Sequence, residues 1–454
     1  MTHEHRWTLT LSSIALAVAF AGATAAATQL PAQSAAGAAT IRLTLSDAID
    51  RALRTSHRIG EAQAREDAAK AGAAARAAAD MPTFSLLGGY SRTNHVEEFA
   101  ITVPGVAPRV IYPDVPDNWR ARLDMQWPVY TSGRVQALER AAQAEVDATS
   151  QDLTVTRADA RLDAARAFWS LVTARQAVGV VEEALKLMDA HLNDVRTMRE
   201  VGLVAPNDVL SAEAQRSRQQ MLFIEARNGR DVAEADLRRI TGIDPDIAIE
   251  LDAALEGPLP EAPALAQLLA DARANRSERQ ALQLRIGGIG ERQNAVAAGL
   301  KPTIAVGSGV DLARPNPRIF PRMDSWKYSW DAGVSVAWSF WDGGRVKADL
   351  AEIAATQRAA EQRLAEFDTF LAFEIRQRRL DVDAARASIA AATDGLTSAA
   401  EASRVVAERF NAGVAPNTDV LSAQQELLAA QLSRTRALAA FRLAQARLDR
   451  AVGR

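Results

Sequence analysis

One passage of this chain is written twice. Gly202-Leu203-Val204-Ala205-Pro206-Asn207-Asp208-Val209-Leu210-Ser211-Ala212 returns 211 residues later as Gly413-Val414-Ala415-Pro416-Asn417-Thr418-Asp419-Val420-Leu421-Ser422-Ala423. Trp127-Pro128-Val129-Tyr130-Thr131-Ser132-Gly133-Arg134 returns at the same offset as Trp338-Ser339-Phe340-Trp341-Asp342-Gly343-Gly344-Arg345. A shared offset means that the segments joining the two motifs have equal length in both copies. The chain is an internal duplication, and both copies are expected to follow one plan of elements.

Aromatic residues make up only 5% of the chain and charged residues 24%. Ala, Glu, Arg, Leu and Gln dominate, which favours long helices over thick aromatic cores. The net charge of −3 implies no nucleic acid or other polyanion partner. Zero Cys excludes disulfides, thiolate metal sites and a lipid anchor attached through Cys. Residues 1–27 read as a signal peptide: Arg6, an apolar run from Leu9 to Phe20, then small residues with cleavage expected after Ala25 or Ala27. The run is shorter than the ~20 residues a membrane-spanning helix needs. Export is expected, with 28–42 as the mature N-terminal segment.

Each copy has the same plan. Repeat 1 covers 43–241 and repeat 2 covers 264–453, with a Pro-rich linker at 242–263. An initial helix (Leu43–Asp80, then Leu265–Leu300) precedes two strands. A long helix follows (Arg134–Glu200, then Arg345–Asn411), then a tip turn (202–206, then 413–416) and a shorter helix. No Pro interrupts the long helices, as expected where an interior Pro costs ~3 kcal/mol. A helix of that length extends ~100 Å at 1.5 Å per residue. Two short helices stacked end to end match one long one, as a wall of even height requires.

The strands are expected at 83–92, 118–129, 303–312 and 326–341. From Asn118 to Trp127 the alternation is complete, with Trp119, Ala121, Leu123, Met125 and Trp127 on one face and Arg120, Arg122, Asp124 and Gln126 on the other. Such a period fits any half-buried sheet. Yet all four Tyr and six of the eight Trp lie in the two strand regions, so membrane strands with interfacial aromatics are expected. The girdle candidates are Tyr90, Trp119, Trp127, Trp326, Tyr328, Trp330, Trp338 and Phe340. A soluble sheet capping a secreted coiled-coil structural or adhesive protein is the alternative. Four strands cannot close a barrel, and an open edge in lipid leaves backbone groups unpaired. A homotrimer would supply twelve strands. The expected fold is thus an α+β membrane protein, embedded in lipid as a trimer, with a strand barrel continuous with a helical one.

The paired Gly-x5-Asp-Val-Leu-Ser-Ala turns and the glycine strand-to-helix corners resemble those of the TolC-like outer membrane efflux proteins, over essentially the whole mature length. The resemblance implies a trimer with a 12-stranded β-barrel in the outer membrane and a 12-helix tunnel through the periplasm. It implies a periplasmic adaptor and an inner-membrane pump as partners, and cargo such as toxic small molecules, metal ions or polypeptides.

The corners Gly133-Arg134 and Gly343-Gly344-Arg345 need backbone angles that Gly adopts cheaply, and the arginines read as solvated. Gly202 and Gly413 stop the long helices. Asn207 or Asp208, and Asn417, Thr418 or Asp419, can cap the returning ones. By resemblance these turns form the periplasmic mouth. Asp419 would project into its aperture as an acidic ring that favours cations, beside Ser422, where some relatives carry a second acid. Phe410 and Ala415 replace a Tyr and an Arg that lock the mouth in some relatives. Gly202, Leu203, Val204, Asp208, Phe410, Gly413, Val414 and Ala415 are the expected tip and adaptor-contact residues. Five scattered His and a lone Gly288-Ile289-Gly290 offer no catalytic, cofactor or metal pattern, so no enzymatic activity is expected.

Overall fold

A computed structural model describes residues 40–454. The signal peptide assigned to 1–27 lies outside the described residues, as does the mature segment up to residue 39. The first copy contains strand β1 (Thr40–Leu43), helices α1 (Leu45–Thr55) and α2 (His57–Ala77), and strands β2 (Thr83–Arg92), β3 (Phe99–Val103), β4 (Val106–Tyr112) and β5 (Asp117–Tyr130). It ends with helices α3 (Arg134–Glu200) and α4 (Pro206–Thr241). The second contains strand β6 (Ala248–Leu251), helices α5 (Leu265–Asn275) and α6 (Ser277–Ala297), strands β7 (Thr303–Arg314) and β8 (Lys327–Ala337), and helices α7 (Arg345–Asn411) and α8 (Asn417–Val452).

Helices α3 and α7 each run 67 residues and α4 and α8 each run 36. At 1.5 Å per residue these are ~100 Å and ~54 Å long. The main core lies where both repeats meet. Phe168 and Leu171 of α3 pack there with Leu371 and Ile375 of α7 and Phe441 of α8. The tip has its own small core of Val195, Phe410 and Val420.

Four antiparallel strands form one sheet in the order β2-β5-β7-β8, so the two repeats join at β5–β7. Phe84, Leu86, Tyr90, Trp119, Leu123, Met125, Val310, Leu312, Tyr328 and Trp330 fall on one face of the register. Ser85, Arg120, Arg122, Asp124, Asp311, Ser329 and Asp331 fall on the other. Many of the large apolar residues of the first face are exposed, Leu86 by 75% and Val334 by 70%.

Several sequence expectations change. The initial helix of each copy is broken, at Ser56 and at Arg276, both in extended backbone. The bends turn α1 onto α3 and α4, and α5 onto α7 and α8, which brings Ala48 and Leu268 into the main core. The segment 242–263 is not plain linker. Its β6 pairs in parallel with β1, and Ile249 and Leu255 are buried in the same core. The long loop of the first copy folds into a second hairpin, β3–β4, turning at Gly105 with φ +85°. The last strand, expected over 326–341, covers only Lys327–Ala337. Ala337 pairs with Thr303, the first residue of β7, and Pro302 before it has no N–H to extend the ladder.

Candidate functional site

The strand-to-helix corners are built twice with different side chains. Gly133 precedes α3 at φ +83°, and Gly343 and Gly344 precede α7 at φ +70° and +87°. At the second corner Asp342 caps α7, accepting from Gly344 N–H at 2.9 Å and Val346 N–H at 2.8 Å. At the first, Thr131 stands in its place and accepts a longer bond from Val135 N–H, 3.4 Å. Arg134 and Arg345 are exposed, and Arg345 makes only a 3.9 Å contact with Asp349.

The aromatic candidates divide by height. Trp127 and Trp338 occupy equivalent places and donate from their indole N–H to the last carbonyl of the preceding helical turn, Asp80 and Leu300, each at 3.0 Å. They pin the sheet to the helices. The rings of Tyr90 and Trp119 lie 4.3 Å apart, tilted by 40°, near the opposite end. Tyr328 pairs with Leu312 in that same half of the sheet. Trp330 pairs with Val310, alongside Leu123, at mid-height rather than at a rim. Trp326 precedes β8, and Trp338 and Phe340 follow it. Phe340 is 80% exposed.

At the far end of the helices, Gly202 (φ +80°) and Gly413 (φ +75°) terminate α3 and α7. Leu203 N–H donates to Met198 O at 2.8 Å and Val414 N–H to Arg409 O at 2.9 Å, closing both helix ends. Leu203 and Val414 stand 74% and 66% exposed, while Val204 and Ala415 lean onto the tip core. Phe410 departs from the surface role expected of it. It is only 6% exposed and its ring lies 5.2 Å from that of His191. Its apolar side chain is part of the tip's own core.

The caps also differ from expectation. The N-cap of α4 is Ala205 and that of α8 is Pro416. Asp208 reaches back and accepts from Ala205 N–H at 3.1 Å. Asp419 holds the same place in α8, but Pro416 offers no N–H to accept from. Among the described residues the Asp419 carboxylate has no hydrogen-bond or ion-pair partner, and it is exposed together with Ser422, one turn on.

Asn417 does not cap. It is buried, it lies 2.7 Å from His191 of α3, and its amide donates to the Asp208 carbonyl of α4 at 3.0 Å. One side chain therefore ties three helices at the tip. Neither His191 nor this role of Asn417 stands out in the sequence, because His191 lies outside the repeated motifs and Asn417, though inside one, is matched by Pro206 in the first copy.

Long strands with one apolar and one charged face, running through glycine corners into helices ~100 Å long, define a protomer of a membrane duct. The chain belongs to the outer membrane efflux protein family, whose model, described as "Outer membrane efflux protein", matches residues 48–243 and 268–454. Protein CyaE of Bordetella pertussis is 27% identical over 415 residues, spanning 87% of this chain and 83% of that one. Outer membrane efflux protein BepC of Brucella suis is 26% identical over 302 residues, spanning 64% and 63%. In fold the chain is similar to the outer membrane protein VceC from Vibrio cholerae, with TM-score 0.74 and 20% identity over 90% of this chain and 96% of that one. This is an export channel protein of the outer membrane whose helical part spans into the periplasm.

Proposed function

We propose that three copies close into a passive exit duct with a twelve-stranded barrel and a twelve-helix tunnel. It takes toxic small molecules or other cargo from an inner-membrane pump through a periplasmic adaptor. The observation that carries this reading is the open sheet. Among the described residues, strands β2 and β8 each have one unpaired edge, while large apolar side chains dominate one face. Lipid tolerates that face but not those edges. Joining β8 of one copy to β2 of the next removes every edge and turns the charged face inward.

In the same reading the tip is the periplasmic mouth. Leu203 and Val414, exposed beside glycines, offer small apolar steps for the adaptor's helical tips. Asp419 faces the aperture, and three copies form an acidic ring. Conduction needs no covalent chemistry, and members of this family are channels. A secreted structural rod would have no use for the exposed apolar sheet.

The test is membrane fractionation followed by electrophoresis with and without boiling. The expected result is an outer-membrane band at three times the protomer mass that falls to one on heating. A soluble monomer would overturn the proposal.

A further inference from the structure

We infer that Arg122 sets the charge selectivity of the strand-lined lumen by covering three carboxylates that would otherwise face the water path. The inference rests on the reading above, in which the charged face of the sheet lines the duct.

The Arg122 side chain leaves β5, crosses β7 and reaches β8. It passes over Gly309, where a Cβ would overlap the guanidinium and lie 2.9 Å from the Asp124 carboxylate. The glycine is what leaves the path open. Along it the guanidinium donates to Asp124 Oδ1 at 2.6 Å, to Asp311, and to both oxygens of Asp331 at 3.0 and 3.2 Å. Arg120 closes on Asp311 with two bonds of 2.5 and 3.0 Å. Arg318 stands 3.1 Å from Asp331. Three arginines thus meet three aspartates, and the cluster is neutral within one protomer.

Arg122 is the member that all three aspartates share. Its side chain is 17% exposed, against 53% for Arg120 and 47% for Arg318. Only a planar guanidinium can serve three carboxylates in this way, since a lysine ammonium is a point charge. Without Arg122, each protomer would carry one uncompensated negative charge on this face. The trimer would then carry three around one lumen, and a ring of like charge favours cations. A clasp that merely joined the repeats would predict lost stability without a change in selectivity.

The experiment uses full-length trimers in planar bilayers, with reversal potentials read across a KCl gradient near 0.1 M, where the Debye length is about 10 Å. Arg122→Gln is expected to move the reversal potential toward the cation limit. Asp331→Asn, which leaves one arginine in excess, is expected to move it toward the anion limit. The double variant should return to the wild-type value. All differences should fade near 1 M salt, where the Debye length is about 3 Å. If Arg122→Gln fails to assemble, Asp331→Asn alone decides the matter, because its shift has the opposite sign. Equal reversal potentials in pore-forming wild type and variants would overturn the inference and leave the duct reading intact. Wild-type protein that forms no pore would overturn the duct reading itself.

Discussion

His191 Nε2–H donates to Asn417 Oδ1 at 2.7 Å inside the tip, joining the end of one long helix to the start of the last short one. The Asn417 amide continues the link to the Asp208 carbonyl. Asn417→Ala would strand the buried His191 donor, at a cost of about 1–3 kcal/mol, and remove the tie to α4. The expected outcome is a looser mouth, seen as faster tryptic cleavage at Arg199 and Arg409 beside the turns and as higher single-channel conductance. Unchanged cleavage and conductance would show that other contacts hold the tip.

The two tip aspartates should behave differently. Asp419→Ala is expected to raise conductance and relieve block by divalent cations. Asp208→Ala should leave both unchanged and cost about 0.5–1 kcal/mol of local helix stability. Pro416→Ala restores an N–H at the cap and should draw Asp419 back into it. That variant is expected to reproduce part of the Asp419→Ala phenotype with the carboxylate still present. If Pro416→Ala leaves divalent block untouched, capping does not govern the availability of Asp419.

Gly344 has φ +87°, in a region that costs a residue with a Cβ about 1–2 kcal/mol. Gly344→Ala is therefore expected to lower the melting temperature of the detergent-solubilised trimer. Gly72 sits on α2 at an ordinary angle, and the place a methyl group would take there has no neighbour within 4 Å. Gly72→Ala should hold or raise the melting temperature, because Ala favours helix by about 0.5–1 kcal/mol. Equal losses at both sites would refute the backbone argument.

Acid should weaken the tunnel wall through Glu278. Burial pushes this carboxyl up, but hydrogen bonding from Arg450 and the charges of Arg276 and Arg450 outweigh it and hold it below the ordinary glutamate range. Arg450 bonds Glu278 at 2.7 Å and Asp159 at 2.7 Å. A depressed folded-state value means that the stabilisation is fully present above the unfolded value and is lost as pH falls through the folded one. Melting temperatures taken from neutral to acid pH should fall in that window, and Glu278→Gln should start lower and fall less steeply. A variant curve parallel to wild type would remove Glu278 from the acid response.

The repeat offset made the architecture legible. It placed the long helices, the glycine corners and the tip turns in both copies, because each repeats a local pattern of period or turn chemistry. The alternation around Trp119 and Trp127 likewise marked a two-faced strand. The missed features depend on distant partners. The breaks at Ser56 and Arg276 look like ordinary helix positions until the core that receives α1 and α5 is known. Arg122, Asp311 and Asp331 read as separate polar residues on separate strands, and only the register brings them together across Gly309. His191 and Asn417 are 226 residues apart, and no periodicity spans such a gap.

The pair Ala205 and Pro416 shows how a duplicated chain can leave one of two identical aspartates without its capping bond while the aspartate itself is unaltered. The backbone hydrogen that Asp208 accepts is missing at Pro416, so Asp419 has no such bond to make. Divergence between twin segments is therefore to be sought in lost donors as much as in changed side chains. A comparison that scored Asp208 and Asp419 as unchanged would pass over the place where the two copies part company.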